Sequence, residues 1–211
     1  MARDWIEWHR AYDDPASPLS QRLDAVVGII RSALDAAPPG EIRVLSLCAG
    51  DARDISTAAL DHQRARDLSG CVVELDPDLA ARATANAAAA GTALAVRAAD
   101  AGASDVWRDV LPVDLLLLTG IFGNIDDDNI QATIAAVPAM CRAGATVIWT
   151  RHRRPPDLTP QIQTWFTAAG CPSTDFLSPG ATAFAVGAQR CDAPVTAPLP
   201  ARLFTFRDDL W

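Results

Sequence analysis

Two short stretches constrain this chain more than any others. Residues 44–53 read V-L-S-L-C-A-G-D-A-R, and residues 72–78 read V-V-E-L-D-P-D. In each, an apolar run stops abruptly, the first in small residues and the second in an acid. Between them lies room for one helix, and two parallel strands need such a crossover. Small residues at the first turn let a ligand approach the backbone. A carboxylate at the end of the second strand is placed to grip a ribose diol. The pair predicts the opening βαβ of a nucleotide-type binding fold.

The rest of the chain extends this pattern. Further strands are expected at 93–98, 113–119 and 145–150, besides 42–48 and 71–75. Helical spacing falls at about 52–66, 78–90, 102–109 and 127–141 between them. The run D-L-L-L-L at 114–118 is apolar enough for a strand buried on both faces. Two helices, 3–12 and 19–36, precede the first strand, and Pro38-Pro39-Gly40 stops the second. After a helix at 159–169, strands at 174–178 and 182–188 are joined by a link so short that they must pair antiparallel. The expected fold is α/β: a doubly wound, mostly parallel seven-stranded sheet with an antiparallel C-terminal hairpin, capped by the N-terminal helices. A single domain over 1–211 is expected, with a cap at 1–38, a binding core at 42–190 and a C-terminal extension at 191–211. In the extension, L-F-T-F at 203–206 is expected to pack back on the body.

Composition removes several classes of function. The net charge is −8, and all eighteen basic residues are Arg. With no basic stripe, nucleic acid is not the expected partner, because phosphate neutralisation supplies most of that affinity. With no Lys, neither a Schiff base nor a P-loop lysine is available. The five Cys (48, 71, 141, 171, 191) are scattered and odd in number, which fits small buried residues in a reducing compartment. The three His (9, 62, 152) are far apart and no C-x-x-C occurs, so no metal site is expected. The start M-A-R-D-W-I-E-W is no signal peptide, and the apolar runs are too short to span a bilayer. The reading is a cytoplasmic protein with no membrane partner.

An acid after the second strand, a polar residue after the third and a terminal hairpin together resemble the class I S-adenosylmethionine-dependent methyltransferases, over roughly residues 42–190. That family opens with an acid, one apolar residue and G-x-G-x-G. The aligned residues here are Ser46, Leu47, Cys48, Ala49, Gly50, Asp51 and Ala52. Only Gly50 survives of the three glycines, and a positive φ is costly at Cys48 and Ala52. Ser46 stands where the family's acid holds the ammonium of the methionine part, and Asp51 or Asp54 can supply the missing charge. The resemblance implies that Ser46, Cys48, Ala49 and Gly50 bind cofactor. It implies that Glu74 accepts both ribose hydroxyls, since a carboxylate offers two acceptor oxygens, and that Leu75 lies against the adenine. In R-A-A-D-A at 97–101, Asp100 would accept from the adenine amino group and Ala101 would offer its N–H to a ring nitrogen. The other reading of Asp100 is an N-cap for 102–109. The loop T-G-I-F-G-N-I at 119–125 forms the floor where sulfonium and substrate meet. Thr119 and Gly120 would face the cofactor, Phe122 and Asn124 the substrate. The N-P-P-[FY] signature of members that methylate amino groups of bases is absent.

The flanks carry the remaining candidates. Trp5, Trp8, His9 and Tyr12 share one helical face, either as packing or as a lid. As a lid, Trp5 and Tyr12 would touch substrate and His9 would be a general base. Arg151, His152, Arg153 and Arg154 follow strand five, either as a solvated face or as a grip on an anionic substrate. Arg151 is the candidate for substrate and His152 the second candidate base. The implied function is transfer of a methyl group from S-adenosylmethionine to a small molecule, leaving S-adenosylhomocysteine. The alternatives are a methyltransferase-like protein that binds without turnover, and an NAD-dependent oxidoreductase. The aromatic C-terminal segment ending at Trp211 can serve a homodimer interface.

Overall fold

In the computed structural model, which describes residue 12 and residues 14–178, 183–195 and 197–207, the apolar runs join in one seven-stranded sheet. The strands are β1 (Ile42–Leu47), β2 (Leu68–Glu74), β3 (Ala95–Ala98), β4 (Val113–Leu118), β5 (Cys141–His152), β6 (Ser173–Leu177) and β7 (Phe184–Cys191). Their order across the sheet is β3-β2-β1-β4-β5-β7-β6. The first five are mutually parallel, and β7 runs antiparallel to both of its neighbours, β5 and β6. That inserted antiparallel strand separates this sheet from the all-parallel dinucleotide-binding sheet.

Alternation along the strands sorts side chains to two faces. On one face, Val44, Leu115, Leu117 and Ile148 pack beneath α1 (Pro18–Ala36), α2 (Arg53–Ala59) and α3 (Pro77–Ala89). On the other, Leu45, Leu116, Leu118 and Trp149 meet Ile130 and Ile134 of α4 (Asp127–Met140) and Phe166 of α5 (Thr159–Ala168). Leu203 and Phe204 join this second face, so the L-F-T-F segment does pack on the body. The helices start where side chains satisfy the free amides. Ser17 caps α1, Asp76 caps α3 through the amides of Asp78 and Leu79, and Asp126 caps α4 through Asn129. No helix among the described residues is long and apolar enough to cross a membrane.

Strand β2 begins three residues earlier than expected, at Leu68, and β7 runs on to Cys191. Three further elements differ. The helix expected over 52–66 ends at Ala59, where the Arg31 guanidinium takes the carbonyls of Thr57, Ala58 and Leu60. Asp61 then turns left-handed at φ 58°. The helix expected over 102–109 is instead two short 3-10 turns, Ser104–Val106 and Arg108–Val110, because Trp107 between them is driven into the core and its indole donates to Ala101 O. Strand β5 is longer than expected at both ends; at its C-terminal end it pairs with β7 as far as His152↔Phe184. Arg151 and His152 are therefore strand residues rather than the start of a loop. The helix expected over 3–12 lies outside the described residues except for Tyr12.

Candidate functional site

A cleft of about 930 Å³ opens at the carboxyl ends of β1, β2, β4 and β5. This is where the chain order reverses, between β1 and β4, and where such sheets bind ligands. The volume suits a cofactor together with a small second molecule.

The turn after β1 forms one wall. Cys48, Gly50 and Ala52 all have left-handed backbones, with φ of 54°, 58° and 54°. These are the three positions of the G-x-G-x-G pattern, so the turn keeps the glycine shape although two glycines are missing. For a residue with a Cβ that shape costs roughly 1–2 kcal/mol. The surrounding bonds hold it. Ala49 N donates to Val73 O at 3.0 Å, Ala52 N to Ala49 O at 2.9 Å, and the Asn86 side chain to Asp51 O at 2.9 Å. Gly50 N donates to Glu74 Oε2 at 2.7 Å. Burial pushes the Cys48 thiol well up, with Glu74 and Asp100 adding to the effect, so it stays protonated.

Glu74 closes β2 at the bottom of the cleft. Its second oxygen accepts from Asp76 N at 2.9 Å. Two amides occupy two of the roughly four acceptor sites of the carboxylate and leave two for a ligand. Beside it, Leu75 is 70% exposed on the wall of the cleft.

Asp54, in the first turn of α2, also faces the cleft and is buried. It accepts from Ile55 N at 2.7 Å and from the Thr119 hydroxyl at 3.0 Å. Burial raises its carboxyl above the ordinary range, partly countered by those bonds. Asp51 instead grips Arg53, whose Nε lies 2.8 and 3.0 Å from its two oxygens.

The chain's end supplies a wall that the sequence did not suggest. Leu203 N donates to Gly102 O at 2.7 Å and Ala103 bridges Arg202, which lays Thr205, Phe206 and Arg207 along the cleft. Gly102 is required here, since a Cβ would fall 2.3 Å from Phe204 O. Asp100 and Ala101 lie at this rim. Asp100 does not cap a helix; its oxygens take Gly102 N at 2.8 Å and the Arg202 guanidinium at 2.9 Å.

The far wall comes from β4 and β5. Gly120 N donates to the Thr150 hydroxyl at 2.8 Å. The Asn124 amide donates to Gly120 O, while its Oδ1 is buried with no partner among the described residues. Arg151 has a side chain only 10% exposed; one nitrogen donates to Phe122 O, and its Nε is buried and unpartnered among the described residues. His152 is in the same state at Nδ1. Its ring packs on Gly123, where a Cβ would come within 3.3 Å. Burial lowers its pKa below 6.5, and Arg151 and Arg154 lower it further, so the imidazole is neutral at pH 7. Tyr12 lines the entrance, its hydroxyl 3.0 Å from Arg22 and its ring under Arg53 at 4.3 Å.

Of the expected site residues, Cys48, Ala49, Gly50, Glu74, Leu75, Asp100, Ala101, Thr119, Gly120, Asn124, Arg151, His152 and Tyr12 share this one cleft. Two expectations need correction. Ser46 is fully buried within central β1 and does not reach the wall, which begins at Cys48. Phe122 points away from the cleft into the core, where its ring meets Trp149 at 6.1 Å and Phe166 at 6.3 Å. Trp5 and His9 lie outside the described residues. Sequence reasoning missed Arg22, Arg202 and the wall at 205–207; only the apolar L-F-T-F hinted at the last.

No protein-family model and no curated protein matches the sequence. Solved structures match the shape. An O-methyltransferase family protein from Burkholderia thailandensis superposes with a TM-score of 0.62 at 16% identity, over 83% of this chain; the chain spans 57% of that protein's length. The 1,6-didemethyltoxoflavin-N1-methyltransferase of the same species, solved with 1,6-didemethyltoxoflavin and S-adenosylhomocysteine, gives 0.61 at 15% identity, over 89% of this chain and 83% of that one. An RNA methyltransferase from Salinibacter ruber, in complex with S-adenosylhomocysteine, gives 0.52 at 18% identity, over 82% and 96%. At such identities the likeness establishes the fold: the chain has the Rossmann-like fold of the class I S-adenosylmethionine-dependent methyltransferases.

Proposed function

We propose that this chain transfers the methyl group of S-adenosylmethionine to a small molecule. The observation that carries the reading is Glu74, fixed by two backbone amides at the end of β2 with acceptor capacity left over, beside a turn that keeps left-handed geometry at all three glycine positions. The residues present suit the cofactor. Glu74 accepts the ribose hydroxyls, Leu75 covers one face of the adenine, and Asp100 and Ala101 meet its edge. Asp54, steadied by Thr119, takes the ammonium of the methionine part in place of the residue at Ser46. When bound, the cofactor supplies an activated methyl group on a good leaving group.

The chain's own task is then to hold the acceptor in line and exclude water, which can contribute about 7–11 kcal/mol. Asn124 and the Gly120–Thr150 contact set the floor of the acceptor side. His152, neutral at pH 7, takes the proton of an acceptor hydroxyl. A small acceptor fits the −8 charge of the chain, which disfavours nucleic acid. The five free thiols fit a reducing, cytoplasmic setting. Titration calorimetry with S-adenosylhomocysteine tests the reading: saturable binding at one site per chain is expected, and no binding to the folded protein would overturn it.

A further inference from the structure

We infer that the methyl acceptor carries a carboxylate, and that Arg151 together with Arg154 holds it at the β5 end of the cleft. This rests on the methyltransferase reading, because it brings the acceptor into the same cleft.

The charge of the cleft is opposite to that of the chain. Arg22, Arg53, Arg151, Arg154, Arg202 and Arg207 line it, against the carboxylates of Asp51, Asp54, Glu74 and Asp100. The protein as a whole carries −8. Two of these pairs cancel within the wall, Arg53 with Asp51 and Arg202 with Asp100. Glu74 and Asp54 are held by amides and a hydroxyl rather than by arginines. The remaining arginines are Arg22 on α1, Arg207 in the C-terminal segment, and Arg151 and Arg154 at and just beyond the end of β5.

Of these, Arg151 is the one that is deeply buried. Nine-tenths of its side chain is buried, and its closest acid, Asp127, is 3.9 Å away and 63% exposed. A guanidinium has five donors. One donor here serves Phe122 O, and Nε has no partner among the described residues. Buried charges are ordinarily paired and fully hydrogen-bonded; Arg151, on the wall of a cleft, has one carbonyl and one long contact to an exposed acid, and its Nε is left over among the described residues. A planar carboxylate matches the donor fork of a guanidinium. Arg154 lies on the same wall and is exposed, so it can close over such a group. His152 lies between them in sequence and shares the wall, which sets the anchored acceptor beside a neutral imidazole.

The experiment is calorimetric titration of the protein saturated with S-adenosylhomocysteine. The probes are matched pairs, benzoate with benzamide and indole-3-acetate with indole-3-acetamide, and phenyl phosphate. At least one carboxylate is expected to bind about tenfold or more tightly than its amide. Arg151→Gln should bring the pair within about twofold, and Arg154→Gln should narrow the gap by about threefold. If Arg151→Gln does not fold, Arg154→Gln and the ¹⁵N resonance of Arg151 Nε in the unaltered protein decide, the latter shifting with benzoate and not with benzamide. Amides binding as well as carboxylates, phenyl phosphate outcompeting every carboxylate, or a preference that survives substitution would each overturn the inference. Binding of S-adenosylhomocysteine without any carboxylate preference defeats this inference alone. Absence of that binding defeats the proposed function, and the same probe pairs titrated into the free protein still read the role of Arg151.

Discussion

The two ends of the cleft are built differently. At the β1–β2 end the acids that face the cleft have partners within the chain, Glu74 in two amides, Asp51 in Arg53, Asp54 in Thr119 and Ile55, while the unpartnered Ser46 Oγ and Ser56 Oγ are buried on residues that do not line the cleft. At the β4–β5 end three buried polar atoms, Asn124 Oδ1, Arg151 Nε and His152 Nδ1, find no partner among the described residues. The acids of the first end are thereby fixed in place. The second keeps bonding capacity for a guest, and a buried polar group left in that state destabilises the fold. On the proposed function, the cofactor would meet acids already held by the chain, and the acceptor would meet groups that the fold alone does not satisfy.

The sharpest way to break this contrast is Glu74→Ala. It removes the proposed ribose acceptor and its bond to Gly50 N in the turn, and should weaken S-adenosylhomocysteine binding about 100-fold or more, measured by calorimetry. A weak effect would mean that the β1–β2 end is not the nucleoside site. His152→Gln probes the other end. It should lower kcat toward a hydroxyl acceptor about 100-fold while cofactor affinity stays within about twofold. In the unaltered protein kcat should climb with pH and level off at a midpoint below 6.5, because the charged form is the one that burial, Arg151 and Arg154 disfavour.

Asp54→Asn tests whether the ammonium anchor has moved from β1 to α2. It should weaken the cofactor about tenfold. It should also stabilise the ligand-free protein at pH 7. The folded carboxyl has a raised pKa, so its favourable contribution is complete below the unfolded value and is lost as pH rises through the folded one. The stabilisation should therefore fade when unfolding is followed near about pH 4. The smallest effect is expected from Ala52→Gly and Cys48→Gly. Relief of left-handed strain exceeds the added chain entropy by roughly 0.5 kcal/mol, visible as a slightly higher Tm.

Much of this was legible in the sequence because the fold places chemistry where apolar runs stop. Glu74, Gly50, Asp100, Thr119 and Asn124 each lie just at or beyond the end of such a run, and a parallel sheet gathers those ends along one edge. Local pattern gave no means of judging which way a side chain turns inside a loop. Phe122 sits between two glycines and looked available to a ligand, yet the aromatic surface of Trp149 and Phe166 draws it inward. Ser46 aligned with an acid, but the position is enclosed by strands on both sides. The wall from 202–207 depends on a return of the chain across about a hundred residues, which no short-range spacing records.

The insertion of β7 between β5 and β6 has a consequence for biogenesis. As the polypeptide leaves the ribosome, the edge of β5 stays unpaired until the seventh strand in chain order has been made. An unsealed edge of this kind invites pairing with other chains. Arg151 and His152 sit on that edge, so their wall of the cleft is not fixed until β7 has been made, and chains that stop short of it should be prone to aggregate.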